Sequence, residues 1–332
     1  FGSSPLAQLK VGKLRWSIEM GCTTSKATEL ASRAKGACAK EGPLGVVADS
    51  TPPAPPRTPA DSNQDPAEFR CLVDGYFDNP VEIEELKALP ASKLEGCRSL
   101  FTFSTGATYV GQWKGQARHG FGTQTWKDGA SFTGNWADNL SDGLGKFVHA
   151  GGDCYIGEFK VGLAHGVGTY ITMDPSGAKM CCEWRDDLQN GYGTETFADG
   201  SQYQGQYAAG RKHGHGVYTW PDGSKYAGSW EANRINGFGQ YTGMDGRAFK
   251  GHWREAAMDG LGEYTWANGR KYVGQYRNDR KHGFGIFHWQ DGRHWKGWWA
   301  NGHQNGHGVS YNPLGEPVRH GTWLNGQLFT AM

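Results

Sequence analysis

The chain has 332 residues and balances 34 Lys plus Arg against 33 Asp plus Glu, a formal charge of +1. That balance supplies no basic field of the kind general nucleic-acid binding needs. The 52 Gly stand beside 14 Trp, 14 Tyr and 15 Phe, which excludes collagen, with its Gly at every third position, and a disordered Gly-rich chain, which lacks aromatics.

The seven cysteines (Cys22, Cys38, Cys71, Cys97, Cys154, Cys181 and Cys182) form no C-x-x-C pair and no His/Cys cluster with zinc spacing. They read as free thiols in a reducing compartment. No apolar run approaches the ~18 residues of a membrane span.

In chain order, the first signal is Met20-Gly21-Cys22-Thr23-Thr24-Ser25-Lys26. It fits the N-myristoylation pattern M-G-x-x-x-[ST], with Cys22 beside the glycine for palmitate. One myristoyl chain holds a membrane only marginally, at about 10⁴ M⁻¹, whereas two acyl chains anchor it. Acylation needs Gly21 at the terminus, so the expectation takes Met20 as the start and 1–19 as an upstream segment. With Gly21 internal the match is accidental. Residues 20–69, with Thr51-Pro-Pro-Ala-Pro-Pro-Arg57, read as a disordered tail.

Residues 70–98 read as a short helix and cap. Asn79 is the expected N-cap, Pro80 the first helical residue and Glu82 and Glu84 the first-turn acids. Val81, Ile83, Leu86 and Leu89 follow, stopped by Pro90. The expected role is to cover the open edge of the first hairpin.

From there the pattern aromatic-x-Gly-x-aromatic recurs, with unit starts at Tyr109, Phe132, Tyr155, Met180, Tyr203, Tyr226, Phe249, Tyr272 and Trp295. Four residues after each start stands Trp113, Trp136, Phe159, Trp184, Tyr207, Trp230, Trp253, Tyr276 or Trp299. A Gly-x-Gly follows in every unit, from Gly120/Gly122 to Gly306/Gly308, and a degenerate tenth start ends in Gly321-x-Trp323. Side chains alternate along a strand, so the start, the Gly and the second ring share one face. The recurring glycines mark close backbone approach, where rings of neighbouring units fill the vacancies. Asp128-Gly129, Asp199-Gly200, Asp222-Gly223, Asp245-Gly246, Asn268-Gly269 and Asp291-Gly292 are the expected tight hairpin turns. The other end, with Gly162, Asn233 and Asp279, is the expected longer loop.

The string Tyr109-Val-Gly-Gln-Trp-Lys-Gly-Gln-Ala-Arg-His-Gly-Phe-Gly122 resembles the MORN repeat (membrane occupation and recognition nexus), and the resemblance covers about 99–328. The expected fold is all-β: an elongated, single-layer, twisted antiparallel sheet of tandem hairpins behind the disordered N-terminal region and capping helix. The fourth unit departs from the pattern with Met180 and Cys182, and the array fades at Arg319–Trp323; looser packing is expected at both. The resemblance implies a non-enzymatic scaffold or adaptor that docks protein partners at a membrane or cytoskeletal structure. Two alternatives stand beside it. Chains made almost wholly of such repeats resemble radial-spoke head subunits of the ciliary axoneme, and similar arrays precede the kinase domain of plant phosphatidylinositol-phosphate kinases. The expected partners are proteins and a membrane surface or anionic phospholipid, with a homodimer as an alternative and no nucleic acid. The expected location is cytoplasmic, membrane-associated or cytoskeletal, with the axoneme as alternative.

The seventeen start and second-position aromatics are the expected contact surface. Before each Gly-x-Gly stands His119, Asp142, His165, Asn190, His213, Asn236, Asp259, His282 or Asn305. Interchange of His, Asp and Asn suits a turn needing a short polar side chain rather than acid–base or metal chemistry. Arg211, Lys212, Arg280 and Lys281 are candidate contacts for anionic headgroups, each worth ~1 kcal/mol at such a surface, with solvated turn residues as the plain alternative. The Gly-x-Gly pairs open no helix after a strand, and no catalytic signature appears. No catalytic residue, cofactor or metal is expected.

Overall fold

The computed structural model describes residues 75–90, 95–173 and 177–331. They form one open antiparallel sheet of 21 strands and one helix, α1 (Pro80–Ala88). Each strand pairs with its neighbours in sequence, beginning with β1 (Glu95–Thr102) on β2 (Thr108–Lys114) and ending with Pro317–Leu324 on Gln327–Ala331. Within each of the nine units a seven-residue strand pairs with a nine-residue strand; in the first these are β2 and β3 (Ala117–Thr125), followed by β4 (Ser131–Ala137) of the next unit.

The two kinds of turn are exchanged relative to expectation. Three residues, Lys127-Asp128-Gly129, separate the Trp126–Ala130 pair, and this connection joins one unit to the next. Gly129 takes φ +94°, and Asp128 Oδ1 accepts from Ala130 N at 3.0 Å. The loop with a residue in the left-handed region is the three-residue hairpin form. The tight two-residue turn lies at the other end, inside each unit. Asp138-Asn139, Ala232-Asn233 and Asn278-Asp279 all carry positive φ at both residues, the primed turn whose twist matches the strands. The amide of the second turn residue also bonds back to the preceding unit, as in Asn139 N to Arg118 O at 3.1 Å and Asp279 N to Met258 O at 3.0 Å.

The two glycines of Gly-x-Gly serve different needs. The first sits in a bulge with positive φ in all nine units, from +58° at Gly283 to +109° at Gly260. The second is extended but has no room for a side chain: a Cβ on Gly122 would lie 2.6 Å from Tyr109 Cζ. The ring over this glycine belongs to the same hairpin, so the vacancy is filled from within the unit and not by its neighbour.

The helix is capped by Asn79, whose Oδ1 accepts from Val81 N at 3.0 Å, with Pro80 at its start. It does not cover the sheet edge, because β1 already pairs there. The segment lies on the ring face instead. Phe77 packs edge-on to Trp126, Phe132 and Trp136 at 5.6, 5.1 and 5.5 Å. The buried rings divide into two clusters, one running from Phe77 to Trp184 and the other from Tyr203 to Trp323. The division falls at the fourth unit, where Met180 supplies no ring to span Trp184 and Tyr207. The looser packing expected at Arg319–Trp323 is not found: the final hairpin is paired, and its buried Trp323 sits 5.5 Å from Trp295 and closes the ring stack.

Candidate functional site: the two faces of the sheet

The ring face is closed. All seventeen start and second-position aromatics are between 0% and 5% exposed, so they are core and not the contact surface expected from sequence. Each start ring meets the second ring of its own unit and that of the next, edge-on, at 4.9–5.6 Å; only the Met180 steps lack this. Such pairs contribute about 0.5–1.5 kcal/mol beyond area burial. Trp136, Trp184, Trp230, Trp253 and Trp299 also donate through Nε1 to the carbonyl of the preceding unit's second glycine, at 3.1–3.3 Å.

The bulges leave unpaired backbone groups, and side chains satisfy them. Tyr109 Oη donates to Gln112 O at 2.8 Å, and Gln112 Oε1 accepts from Phe121 N at 2.7 Å. The same exchange recurs at Tyr203/Gln206/His215 and Tyr272/Gln275/Phe284. Burial pushes these tyrosine hydroxyls up from their ordinary pKa, so they stay donors.

A row that sequence reasoning did not place in the core lies beside the rings, nine residues after each start. It includes Arg118, Lys212 and Lys281, exposed by only 0%, 5% and 0%. Lys212 is 3.2 Å from Glu195 and stands over the Phe197 ring, while Lys281 lies 4.6 Å from the Trp299 ring centroid. Neither reaches a lipid headgroup from there; of the four expected contacts, only Arg211 and Arg280 are exposed. Alternation decides this, since one residue's shift along a strand exchanges faces. Arg118 is 3.6 Å from the buried Glu82 of α1, which accepts from Gln124 Nε2 at 2.8 Å and Thr105 Oγ1 at 3.0 Å. Burial pushes the Arg118 guanidinium down to about 10, opposed by Glu82, so it remains a cation at neutral pH.

The His/Asp/Asn row stands on strands at the bulge, not in the turn. Asp142 and Asp259 accept from the amides of Val161 and Asn278 in the next unit's turn, at 3.3 and 3.4 Å. His165 lies 3.6 Å from Asp186. These three residues tie their bulges to the turn of the next unit. Among the described residues no three His, Cys, Asp or Glu are grouped to hold a metal. Gly21 and Cys22 lie outside the described residues.

The opposite face is open. The middle residue of Gly-x-Gly points to it, and seven of the nine are apolar or aromatic and exposed: Phe121 57%, Leu144 66%, Val167 58%, Tyr192 52%, Phe238 50%, Leu261 61% and Phe284 41%. The middle residues recur on every second strand, ~9.6 Å apart, with His215 and His307 at the two remaining places. On the intervening strands they face mostly polar residues, among them Asn135, Glu158, Glu183 and Gln206, and repeated exposed apolar groups of this kind mark interaction sites. The signal was present in the sequence as the middle letter of each Gly-x-Gly, but only the bulge register assigns it a face.

Fold and faces together define a tandem hairpin-repeat protein whose working feature is contact surface. The MORN repeat family model matches eight consecutive stretches: 109–131, 132–154, 155–174, 183–202, 203–225, 226–246, 249–269 and 272–292. The chain belongs to the MORN repeat family, whose members are in general non-enzymatic scaffolds for protein or membrane interaction. The fourth match omits Met180 and Cys182, the point where the core divides.

No curated protein matches significantly. Among solved structures, the chain is similar to the TCP10 domain of Danio rerio CPAP in complex with a peptide of Danio rerio STIL. The identity is 12%, the coverage 68% of this chain and 99% of that one, and the TM-score 0.33. The SAS-4 (dCPAP) TCP domain of Drosophila melanogaster, in complex with a proline-rich motif of Ana2, is 14% identical over 47% of this chain and 84% of that one, at TM-score 0.31. Scores this low bear on neither partner nor activity.

Proposed function

We propose that this chain is a non-enzymatic scaffold that docks protein partners at a membrane or cytoskeletal structure, and that it docks them on the face opposite the rings. The observation carrying this is the exposed row at the middle of the Gly-x-Gly motifs, from Phe121 to Phe284. The ring face cannot serve, because its aromatics are consumed by packing between units. A sheet presenting an exposed apolar or aromatic group in seven of its nine units offers repeated seats. An acylated Gly21 and Cys22 would supply the tether.

The test replaces Phe121, Leu144, Phe238 and Phe284 by Glu in the full chain. Quantitative affinity enrichment from cells should then lose the partners that the wild-type chain retains. An unchanged partner set overturns the reading. Extraction decides the location: detergent releases an acylated scaffold, whereas an axonemal component stays with the microtubules.

A further inference from the structure

The open face is not uniform: in its second half the acids Asp259 and Glu263 are paired, and the charges left over are cations. Six consecutive strands, Arg234–Thr242, Ala248–Arg254, Ala257–Thr265, Lys271–Arg277, Arg280–His288 and His294–Ala300, pair each with the next, with a bulge inside each hairpin. Across them Phe238 pairs with His252, Leu261 with Gln275, and Phe284 with Trp298. Trp298 is 52% exposed and 5.9 Å from the Phe284 ring. One row therefore reads Phe, His, Leu, Gln, Phe, Trp.

Two residues to one side along the strands are Lys250, Val273 and Lys296; two residues to the other side are Arg254 and Arg277. Alternation by two keeps all of these on the face of the row. The acids nearby are already engaged: Asp259 by Arg254 at 3.0 Å and Glu263 by Lys271 at 2.7 Å. Among the described residues no carboxylate lies within 4.0 Å of Lys250, Arg277 or Lys296, and Lys296 stands 5.8 Å from the Phe284 ring centroid. A cleft of about 410 Å³ opens here, lined by Arg254, Leu261, Gln275, Arg277 and His282 among others.

We infer that this region is the seat of an acidic amphipathic helix from a partner protein, lying across the six strands with its apolar stripe on the row and its carboxylates toward the flanking cations. The inference rests on the scaffold reading and names the partner's chemistry. The row spans five strand gaps, ~24 Å, the length of a roughly 16-residue helix. Phe238, Leu261 and Phe284 recur at ~9.6 Å, close to the ~10.5 Å between residues seven apart on a helix. A helix also satisfies its own backbone, whereas an extended peptide laid face-down on an apolar row leaves amides without partners. Cations on both sides of the row select a stripe bordered by acids on both sides, the helix-in-groove mode of recognition.

The test uses the full chain and a fluorescein-labelled synthetic 18-residue peptide (a length on the order of the helix above), with Leu at every third or fourth position and Glu bordering them. A second peptide has Lys for Glu. Fluorescence anisotropy should show the Glu peptide binding at least about tenfold more tightly, a difference of ~1.4 kcal/mol, with affinity falling as salt rises. Circular dichroism should show the peptide gaining helix. Phe284→Ser with Trp298→Ser, and separately Lys250→Glu with Arg277→Glu and Lys296→Glu, should each weaken binding by about tenfold or more. Val167→Ser, in the same row but the third unit, should leave it unchanged. All are exposed positions, and each variant's melting curve is checked against wild type. Equal binding of the two peptides, or indifference to the charge reversal, overturns the inference. If the peptide fails while the Glu substitutions of the preceding test still strip partners, the helix seat falls and the scaffold stands.

Discussion

Gly239→Ala isolates the interaction on which the array depends. A Cβ at Gly239 would lie 2.5 Å from Tyr226 Cζ and 2.6 Å from Cε2. The Tyr226 ring cannot retreat: it is 0% exposed, sits 5.6 Å from both Trp230 and Trp253, and its hydroxyl donates to Ser229 O at 3.0 Å. One methyl group in a packed core costs about 1–3 kcal/mol, and displacing the hydroxyl forfeits a hydrogen bond of about 0.5–1.5 kcal/mol. The expected loss is about 2–4 kcal/mol in urea unfolding, with hydrogen exchange fastest around the sixth unit.

Gly237→Ala provides the contrast, since Gly237 is bound by its φ of +91° and not by a ring. Its loss should be about 1–2 kcal/mol of backbone strain. The two differ in a double-mutant cycle with Tyr226→Leu. Trimming the ring makes room for the methyl at 239, so those two changes should fall short of additive by about 1 kcal/mol or more. The cycle with Gly237→Ala should show no such coupling. A loss below ~0.5 kcal/mol for Gly239→Ala, the range of ordinary surface changes, refutes the reasoning, as does equal coupling in both cycles.

Three further outcomes are expected. Met180→Tyr combined with Cys182→Gly restores a ring between Trp184 and Tyr207 and should raise stability by about 1–2 kcal/mol; Met180→Tyr alone should destabilise, because Cys182 fills the space over Gly193. Glu82→Ala strands the buried Arg118 and should cost roughly 3–5 kcal/mol in thermal or urea unfolding, whereas Glu82→Leu with Arg118→Leu should recover most of it. Asp279 has its pKa raised by burial, opposed by the Met258 amide it accepts from at 2.7 Å and reinforced by Asp259. A carboxyl raised above its unfolded value favours the fold at low pH and loses that contribution as pH rises through the folded value. Asp279→Asn keeps the acceptor, as Asn139 and Asn233 do for Arg118 and Lys212. It should therefore stabilise the chain at pH 7, with the difference vanishing below pH ~4.

Much of the fold was legible in the repeat itself. A ring, a glycine and a ring on alternate positions can bury their rings only by stacking hairpins, and Met180 and Cys182 marked the place where the stack breaks. The helix cap at Asn79 and Pro80 was equally local, set by which residues satisfy the first free amides. The face of each residue was harder to assign. Lys212 and Lys281 looked like neighbours of the exposed Arg211 and Arg280, but alternation turns them inward beneath the rings.

The sequence by itself determined the repeat, its length and the pairing of strands into hairpins, because those follow from spacing along the chain. Tertiary structure alone decided the bulge register, the exchange of the two turns, and the buried meeting of Glu82 with Arg118, 36 residues apart in number. It also decided that the rings are core while the middle residues of Gly-x-Gly are surface. The physical reason is that a bulge shifts alternation by counts that no periodic pattern shows. Once that shift is made, closing the rings on one side leaves the other side free to meet a partner.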